Sequence, residues 1–285
     1  MKIIEKLISL LEMLARWLDI DIHKVRAALT KLGAYDLYER WLELQVRDGP
    51  MPEHIGVILD GNRRWARMYG LEPWMGHRAG AKKVEDLLKW CLELGIKTIT
   101  LYAFSTENFK RTPREVAEIM RLFERKLKEL KESDVLKKHK VRVKAIGRVE
   151  LLPPQLRELV REVEEATKHH NERFLNIAVA YGGRAEIIDA VRKVAEDVRA
   201  GRLDPEDIDE EVFERYLYTG YLPEDMRDPD LIIRTSGEER LSGFLLWQCA
   251  YSELFFVDAY WPEFRRIDLL RAIRTYQMRQ RRFGR

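Results

Sequence analysis

Cysteine is scarce in this chain: 285 residues hold two, Cys91 and Cys249. Each lies in apolar surroundings, and neither stands in a CxxC or Cys/His spacing. That argues against zinc and redox chemistry and fits a reducing cytoplasm. Long apolar runs are missing too. None approaches the ~18 residues that a membrane-spanning helix needs, and the first residues lack the pattern of a signal peptide. A cytoplasmic protein is expected, with any membrane contact peripheral and on the cytoplasmic face. Nor does one sign of charge dominate: 51 Lys and Arg stand against 48 Asp and Glu, a net charge of +3. Without a global basic field, nucleic acid is not an expected partner. A GxxxxGK[ST] phosphate loop, a Ser/His/Asp triad and a general-acid pair are also absent.

What is present is a chain that is 46% hydrophobic, long enough to bury on the order of three-quarters of its unfolded surface. Its heavy use of Lys, Arg and Glu suggests a thermophile's surface. Residues 1–50 look like a helical appendage. Ile3, Ile4, Leu7, Leu10, Leu11, Leu14 and Leu18 recur at helical spacing. A second amphipathic stretch runs over Ile22–Leu32 and a third over Tyr35–Val46. Such helices either pack on the main domain or a partner chain, or meet a membrane surface through Leu, Ile and Trp flanked by Lys and Arg. The segment Asp48-Gly-Pro-Met-Pro52 breaks the helical pattern, so the main domain is expected over residues 51–285.

From His54 onward short apolar runs alternate with helical patterns. The runs are Ile55–Leu59, Thr98–Phe104, Val141–Ile146, Leu175–Ala180, Leu231–Ile233 and Leu254–Val257. The helical patterns are Lys82–Leu94, Pro113–Lys131, Pro154–His170 and Arg184–Arg199. This alternation predicts an α/β fold, a parallel sheet with helices on both faces. In the helix from Pro113, the residues Val116, Ile119, Met120, Phe123, Leu127 and Leu130 form one apolar stripe. The stripe is ordinary core, or one wall of a tunnel if the ligand is a long hydrocarbon.

Four stretches carry chemistry. The run ending at Leu59 is followed by Asp60-Gly61-Asn62-Arg63-Arg64. In open α/β sheets ligands bind at the carboxyl ends of strands, and a helix beginning there offers N–H groups and a positive dipole end to an anion. An acid beside bound phosphate points to a divalent cation between them. Taken alone, Asp-Gly is as well explained as a capped turn. The second stretch, Ala103 to Pro113, crowds Ser105, Thr106, Glu107, Asn108 and Lys110 at the end of a strand. In the third, Arg234, Arg240 and Ser242 surround a glycine turn, and two guanidiniums with a hydroxyl can grip a diphosphate. Surface pairing with Glu238 and Glu239 is the alternative there. In the fourth, Glu253 is an isolated acid beside an apolar run and could complete an oxygen shell with Asp60. Two phosphate grips with no obvious nucleophile suggest the joining of two phosphorylated substrates, with catalysis by positioning and by stabilising a departing diphosphate.

The blocks HIGVILDGNRRWA, GHRAGA, TLYAFSTENFKR, AYGGR and DLIIRTSGEERLSGFLLWQCAYSELFF resemble, in order, the motif blocks of the cis-prenyltransferases, the undecaprenyl and dehydrodolichyl diphosphate synthase family. The resemblance covers about Pro52 to Arg285 and is closest in look to archaeal members. It implies a single parallel six-stranded sheet flanked by helices, with a hydrophobic tunnel. The implied activity is Mg2+-dependent addition of isopentenyl diphosphate, repeatedly, to an allylic primer (geranylgeranyl or farnesyl diphosphate), giving a long-chain Z-polyprenyl diphosphate for lipid glycan carriers.

Carried onto this sequence, the resemblance makes Asp60, Asn62, Ser105 and Asn108 the candidate catalytic residues. Gly61, Asn62, Arg63, Arg64, Trp65, His77, Phe109 and Arg111 would hold the allylic substrate. Arg234, Arg240, Ser242 and, through an RxG-like tail reaching across a homodimer, Gly284 would hold isopentenyl diphosphate. Asp60 and Glu253 would bind the metal, Glu253 from the partner's side. Some bacterial members carry an arginine between the DGN and GH blocks where Pro73 stands here, and Arg63 supplies charge where they have glycine. A non-catalytic partner subunit of a heteromeric enzyme is the alternative function. Such subunits lose the acid and the arginine pairs that this chain keeps.

Overall fold

The computed structural model describes residues 34–279, with Leu10 and Met13. Six strands form its centre: β1 (His54–Ile58), β2 (Thr98–Ser105), β3 (Val141–Ile146), β4 (Arg173–Tyr181), β5 (Leu231–Arg234) and β6 (Glu253–Phe256). Their order is β3-β4-β2-β1-β5-β6, and every neighbouring pair is parallel. All six expected runs are strands of this sheet. The central strands β1 and β5 read as continuous apolar runs because helices cover a parallel sheet on both faces, and every residue of both is buried; the edge strand β3 alternates apolar residues with Arg142 and Lys144.

Between β1 and β2 lie α2 (Asn62–Met68) and α3 (Pro73–Glu93). Between β2 and β3 lie α4 (Pro113–Glu132) and α5 (Asp134–Lys138). Next come α6 (Pro154–Thr167) between β3 and β4, then α7 (Gly183–Arg199) and α8 (Glu210–Glu214) between β4 and β5. The chain leaves β1 toward β2, whereas β5 lies on β1's other side. The carboxyl end of β1 is thus a topological switch point, where open α/β sheets place ligands.

Helix α3 begins at Pro73, not near Lys82 where periodicity put its start. Pro73 occupies the first helical turn behind Glu72, a position where proline's missing N–H costs nothing. The apolar signal is faint there because the buried face carries glycine. A Cβ on Gly76 would lie 2.0 Å from the Asn62 carbonyl oxygen, and one on Gly80 2.2 Å from Asn62 Oδ1. The GHRAG block therefore lets α3 lie directly against the first turn of α2.

Behind the sheet's carboxyl edge, α3 and α4 enclose an apolar cavity of about 420 Å3 against β2 and β4. Val84 and Leu88 line it from α3, Ile119, Phe123, Leu127 and Leu130 from α4, and Leu101, Leu175 and Ile177 from the sheet. The stripe on α4 is divided. Val116 and Met120 face a separate surface groove with Phe109 and Leu156.

The chain separates into two compact units, Pro52–Phe264 and a second that combines its two ends, Met1–Met51 with Arg265–Arg285. In the second unit α1 (Ala34–Arg47) packs on α9 (Arg266–Met278). Tyr38, Leu42 and Val46 form the buried face of α1. Arg266 Nη1 donates to Glu39 Oε1 at 3.1 Å and to Glu43 Oε2 at 3.0 Å. The third amphipathic stretch thus has a protein partner within its own chain. The two stretches before it lie outside the described residues, apart from Leu10 and Met13, as does Gly284.

Candidate active site

The turn after β1 starts with Gly61 at φ 101°, in the left-handed region that glycine enters without penalty. Its N–H donates to Asp60 Oδ1 at 2.7 Å. Thr235, following β5, fixes the Asp60 backbone from the other side: its hydroxyl donates to the Asp60 carbonyl at 2.7 Å and accepts the Asp60 N–H at 3.1 Å. Arg234 is 4% exposed and donates through Nη2 to Asp60 Oδ2 at 2.7 Å, while Arg64 Nη2 lies 3.4 Å from Oδ1. Burial pushes the Asp60 carboxyl up, but the hydrogen bond and charge of Arg234, with Arg64 and the Gly61 N–H, outweigh it and hold the group below its ordinary value.

Arg234 also shapes the next loop. Its Nη1 donates to the Arg240 carbonyl and, at 2.8 Å, to Ser242 Oγ. Ser236 and Ser242 both adopt positive φ, 82° and 50°, conformations a serine keeps only where its surroundings enforce them. Ser236 Oγ accepts from Arg64 Nη2 at 2.6 Å. Glu238 bridges two guanidiniums, accepting from Arg64 at 2.9 Å and from Arg240. The surface pairing weighed for Arg240 therefore exists: its side chain is 63% exposed and lies on Glu238.

After β2, Ser105 and Asn108 close a reciprocal capping box over a 3-10 turn at Thr106–Lys110. The Ser105 N–H donates to Asn108 Oδ1 at 3.1 Å, which orients the amide. Beyond it the sequence reading missed Glu115. Only 2% exposed, its Oε1 lies 3.3 Å from Arg63 Nε, 3.2 Å from His77 Nε2 and 3.2 Å from Arg111 Nη1. One buried oxygen thus gathers three basic groups, from α2, from α3 and from the end of the 3-10 turn that precedes α4. Burial holds the His77 imidazole below its ordinary pKa, with Glu115 pulling it up and Arg111 pushing it down. Nε2 can donate to Glu115 or accept from Arg111, not both at once.

Asp60, Gly61, Asn62, Arg63, Arg64, His77, Ser105, Asn108, Arg111, Arg234 and Ser242 line one open cleft of about 560 Å3. Tyr102 and Arg67, which sequence reading did not single out, line it too. Leu59, Asn62, His77 and Ala103 line both this polar cleft and the apolar cavity, so the two meet along these residues. Four expected residues stand apart. Trp65 packs on Tyr69 at 5.0 Å between ring centres. Phe109 turns edge-on to Phe104 at 4.9 Å and lines the groove on the other side of α4. Arg240 contributes its backbone to Arg234. Glu253 is the first residue of β6 and pairs with Leu231, the first of β5. It sits at the amino ends of the strands, whereas Asp60 follows their carboxyl ends, so one copy of the chain does not bring the two acids together.

Fold and site define a class of α/β protein in which a cleft rich in arginine, at the carboxyl ends of a parallel sheet, opens onto an apolar cavity. The family model of the undecaprenyl diphosphate synthases matches residues 58–284. A tritrans,polycis-undecaprenyl-diphosphate synthase (geranylgeranyl-diphosphate specific) of Methanopyrus kandleri is 60% identical over 251 residues, 88% of this chain and 91% of that protein. A protein of the same name from Methanocaldococcus jannaschii is 49% identical over the full length of both. Among solved structures, lavandulyl diphosphate synthase from Lavandula x intermedia, in complex with dimethylallyl diphosphate, superposes with a TM-score of 0.79 at 37% identity, covering 82% of this chain and 99% of that one. The chain belongs to the undecaprenyl diphosphate synthase family, the cis-prenyltransferases.

Proposed function

We propose that the chain condenses isopentenyl diphosphate repeatedly onto an allylic primer to form a long-chain Z-polyprenyl diphosphate for lipid glycan carriers. The observation that carries this reading is the junction at Leu59, Asn62, His77 and Ala103, where a cleft lined by five basic side chains at Arg63, Arg64, Arg67, Arg111 and Arg234 meets a cavity walled by hydrocarbon. A diphosphate fits the first and an isoprenoid chain the second. The archaeal relatives' names support geranylgeranyl diphosphate as primer.

In this reading Arg63, Arg64, His77 and the first N–H groups of α2 hold the primer diphosphate. Arg234 and Ser242, with Arg240 swinging off Glu238, hold isopentenyl diphosphate. The two clusters meet at Asp60, which sets the distance between the substrates. Asn108, which lines the cleft with its Oδ1 engaged by the Ser105 N–H, orients the reacting unit. Among the described residues no three His, Cys, Asp or Glu side chains gather as a metal site, yet Mg2+ needs only one or two carboxylates when substrate phosphates supply the rest. Asp60 fits that demand, since a carboxylate offers about four acceptor sites and Arg234 with Gly61 engages two. Mg2+ held there would neutralise charge on the departing diphosphate. Glu253 joins this site only from a second copy, and homodimerisation is part of the proposal. Among the described residues no helix is long and apolar enough to cross a membrane, so we assign any bilayer contact to the surface, for product release.

The test is incorporation of labelled isopentenyl diphosphate with Mg2+ and either geranylgeranyl or farnesyl diphosphate. Label extracted into long apolar products is expected, with the geranylgeranyl primer preferred; none would sink the reading. Asp60→Asn should lose nearly all turnover. It should also lose stability, which simple removal of a metal ligand would not predict, because Arg234 stays buried without its counter-charge.

A further inference from the structure

Tyr102 lines the cleft without a part in either phosphate grip. Successive residues of a strand point to opposite faces of its sheet. Leu101 and Ala103 of β2 line the apolar cavity, so Tyr102 between them points to the sheet's other face. There its ring stacks on Phe244, at 4.9 Å between ring centres and 12° between planes, and meets Tyr181 edge-on at 5.7 Å. Phe244 and Tyr181 are fully buried. Tyr102 is only half-buried, so fixed aromatic rings back it while part of its own ring is open to the cleft.

The Tyr102 hydroxyl donates to the Ser242 carbonyl at 3.4 Å. Arg234 Nη1 donates to the same serine's Oγ at 2.8 Å. Burial, helped by the Glu107 carboxylate, pushes the Tyr102 phenol up to about 12, so it keeps its proton and remains a donor. The ring therefore lies beside the two residues that the proposed function gives to isopentenyl diphosphate.

The two proposed substrates make different demands on apolar surface. The primer's long hydrocarbon has the cavity. Isopentenyl diphosphate has a short branched tail, which must lie beside Arg234 and Ser242 with its double bond toward the primer. Four other apolar residues line the cleft: Ile58, Leu59, Ala103 and Phe104. Leu59 and Ala103 also line the cavity, on the primer's side. Ile58 and Phe104 are only 5% and 1% exposed. The open part of the Tyr102 ring is the apolar surface that remains. It is flat and held rigid from behind by Phe244, so a planar alkene can rest on it in a fixed orientation, which is what a reaction governed by positioning requires.

Resting on the proposed condensation of isopentenyl diphosphate, we infer that Tyr102 seats the isopentenyl hydrocarbon: its open ring surface carries the alkene while Arg234 and Ser242 hold the diphosphate. The isopentenyl side then divides as the primer side does, with the anion on basic groups and the hydrocarbon on an apolar wall.

The test separates hydrocarbon from phosphate. With geranylgeranyl diphosphate saturating, two constants are measured for wild type, Tyr102→Phe and Tyr102→Ala: the KM for isopentenyl diphosphate and the inhibition constant of inorganic diphosphate competing with it. Tyr102→Ala should raise the isopentenyl KM about tenfold, the order expected from losing an apolar contact of this size, and lower kcat with it. The constant for inorganic diphosphate, which has no hydrocarbon to seat, should stay near the wild-type value. Tyr102→Phe keeps the ring and should stay close to wild type in both. An unchanged isopentenyl KM in Tyr102→Ala overturns the inference. So does an equal rise in both constants, which would make Tyr102 a support for the whole loop. A Tyr102→Phe protein as impaired as Tyr102→Ala would assign the effect to the hydroxyl and overturn it too. If Tyr102→Ala does not fold, Tyr102→Leu takes its place: it fills the site without a flat ring, and a wild-type isopentenyl KM there counts equally against the inference. A wild-type chain that incorporates no labelled isopentenyl diphosphate would instead overturn the synthesis reading.

Discussion

Replacing Glu115 with glutamine tests whether one buried oxygen organises the primer side of the cleft. The exchange keeps shape and an acceptor but removes the charge that Arg63, His77 and Arg111 share. Removing one partner of a fully buried ion pair costs ~3–5 kcal/mol. The sum is smaller here, because Arg63 is 41% exposed and Arg111 21%; the Arg63 contact has the worth of a surface pair, ~0–1 kcal/mol. A net loss of about 1–3 kcal/mol is expected, which for a domain of this size lowers Tm by roughly 2–4 °C per kcal/mol. Stability alone would not establish positioning, so two further readouts matter. With the three basic groups no longer gathered, the KM for allylic diphosphate should rise about tenfold, ~1.4 kcal/mol, while that for isopentenyl diphosphate changes little. The His77 imidazole, monitored by NMR, should titrate lower than in the wild type. Burial and Arg111 already push it down and Glu115 is what pulls it up. A Glu115→Gln protein with wild-type primer affinity and an unmoved His77 titration would refute the positioning role, whatever its melting temperature.

Two other perturbations follow from the geometry. Gly80→Ala places a Cβ 2.2 Å from Asn62 Oδ1 and 2.9 Å from Trp261 Cδ1; overpacking of this kind costs ~1–3 kcal/mol. It should raise the primer's KM more than that of isopentenyl diphosphate, and equal effects on both would argue against Asn62 belonging to the primer side. The Asp60 carboxyl, held below its ordinary value by Arg234 against the effect of burial, adds stability that is fully present above the unfolded pKa of about 3.9 and is lost as pH falls through the lower folded value. In thermal melts the gap between wild type and Asp60→Asn should therefore be constant from neutral pH to about 5 and close below about 4; a gap that widens in acid would contradict the Arg234 pairing.

The sheet was legible because its central strands, β1 and β5, are buried along their whole length and read as uninterrupted apolar runs, while the edge strand β3 alternates apolar residues with Arg142 and Lys144. What escaped reading escaped for local reasons. The start of α3 hid behind Gly76 and Gly80, where close approach to Asn62 replaces the large side chains that periodicity detects. Glu115 was concealed by its position: three residues after Thr112, whose hydroxyl accepts the Glu115 N–H at 3.3 Å, it reads as ordinary helix capping. Its spatial partners come from Arg63 and His77, far off in sequence. Glu253, by contrast, carried a usable signal. It precedes its apolar run, whereas Asp60 follows one. In a parallel sheet that order alone puts the two acids at opposite ends, so any shared metal requires a second chain.

The same reasoning bears on Pro73, which stands where some bacterial members carry a phosphate-gripping arginine. Here that position is the first turn of α3, and proline's locked φ fixes where the helix begins. The helix then runs close against Asn62 by way of Gly76 and Gly80, and it brings His77 to Glu115. Arg63, one residue beyond Asn62, meets the same carboxylate, and Arg111 reaches it from the end of the 3-10 turn before α4. In the proposed reading, a chain without the bacterial arginine still presents several cations to the primer. They are held by a buried acid, so the primer-side grip depends on Glu115 as much as on the arginines themselves.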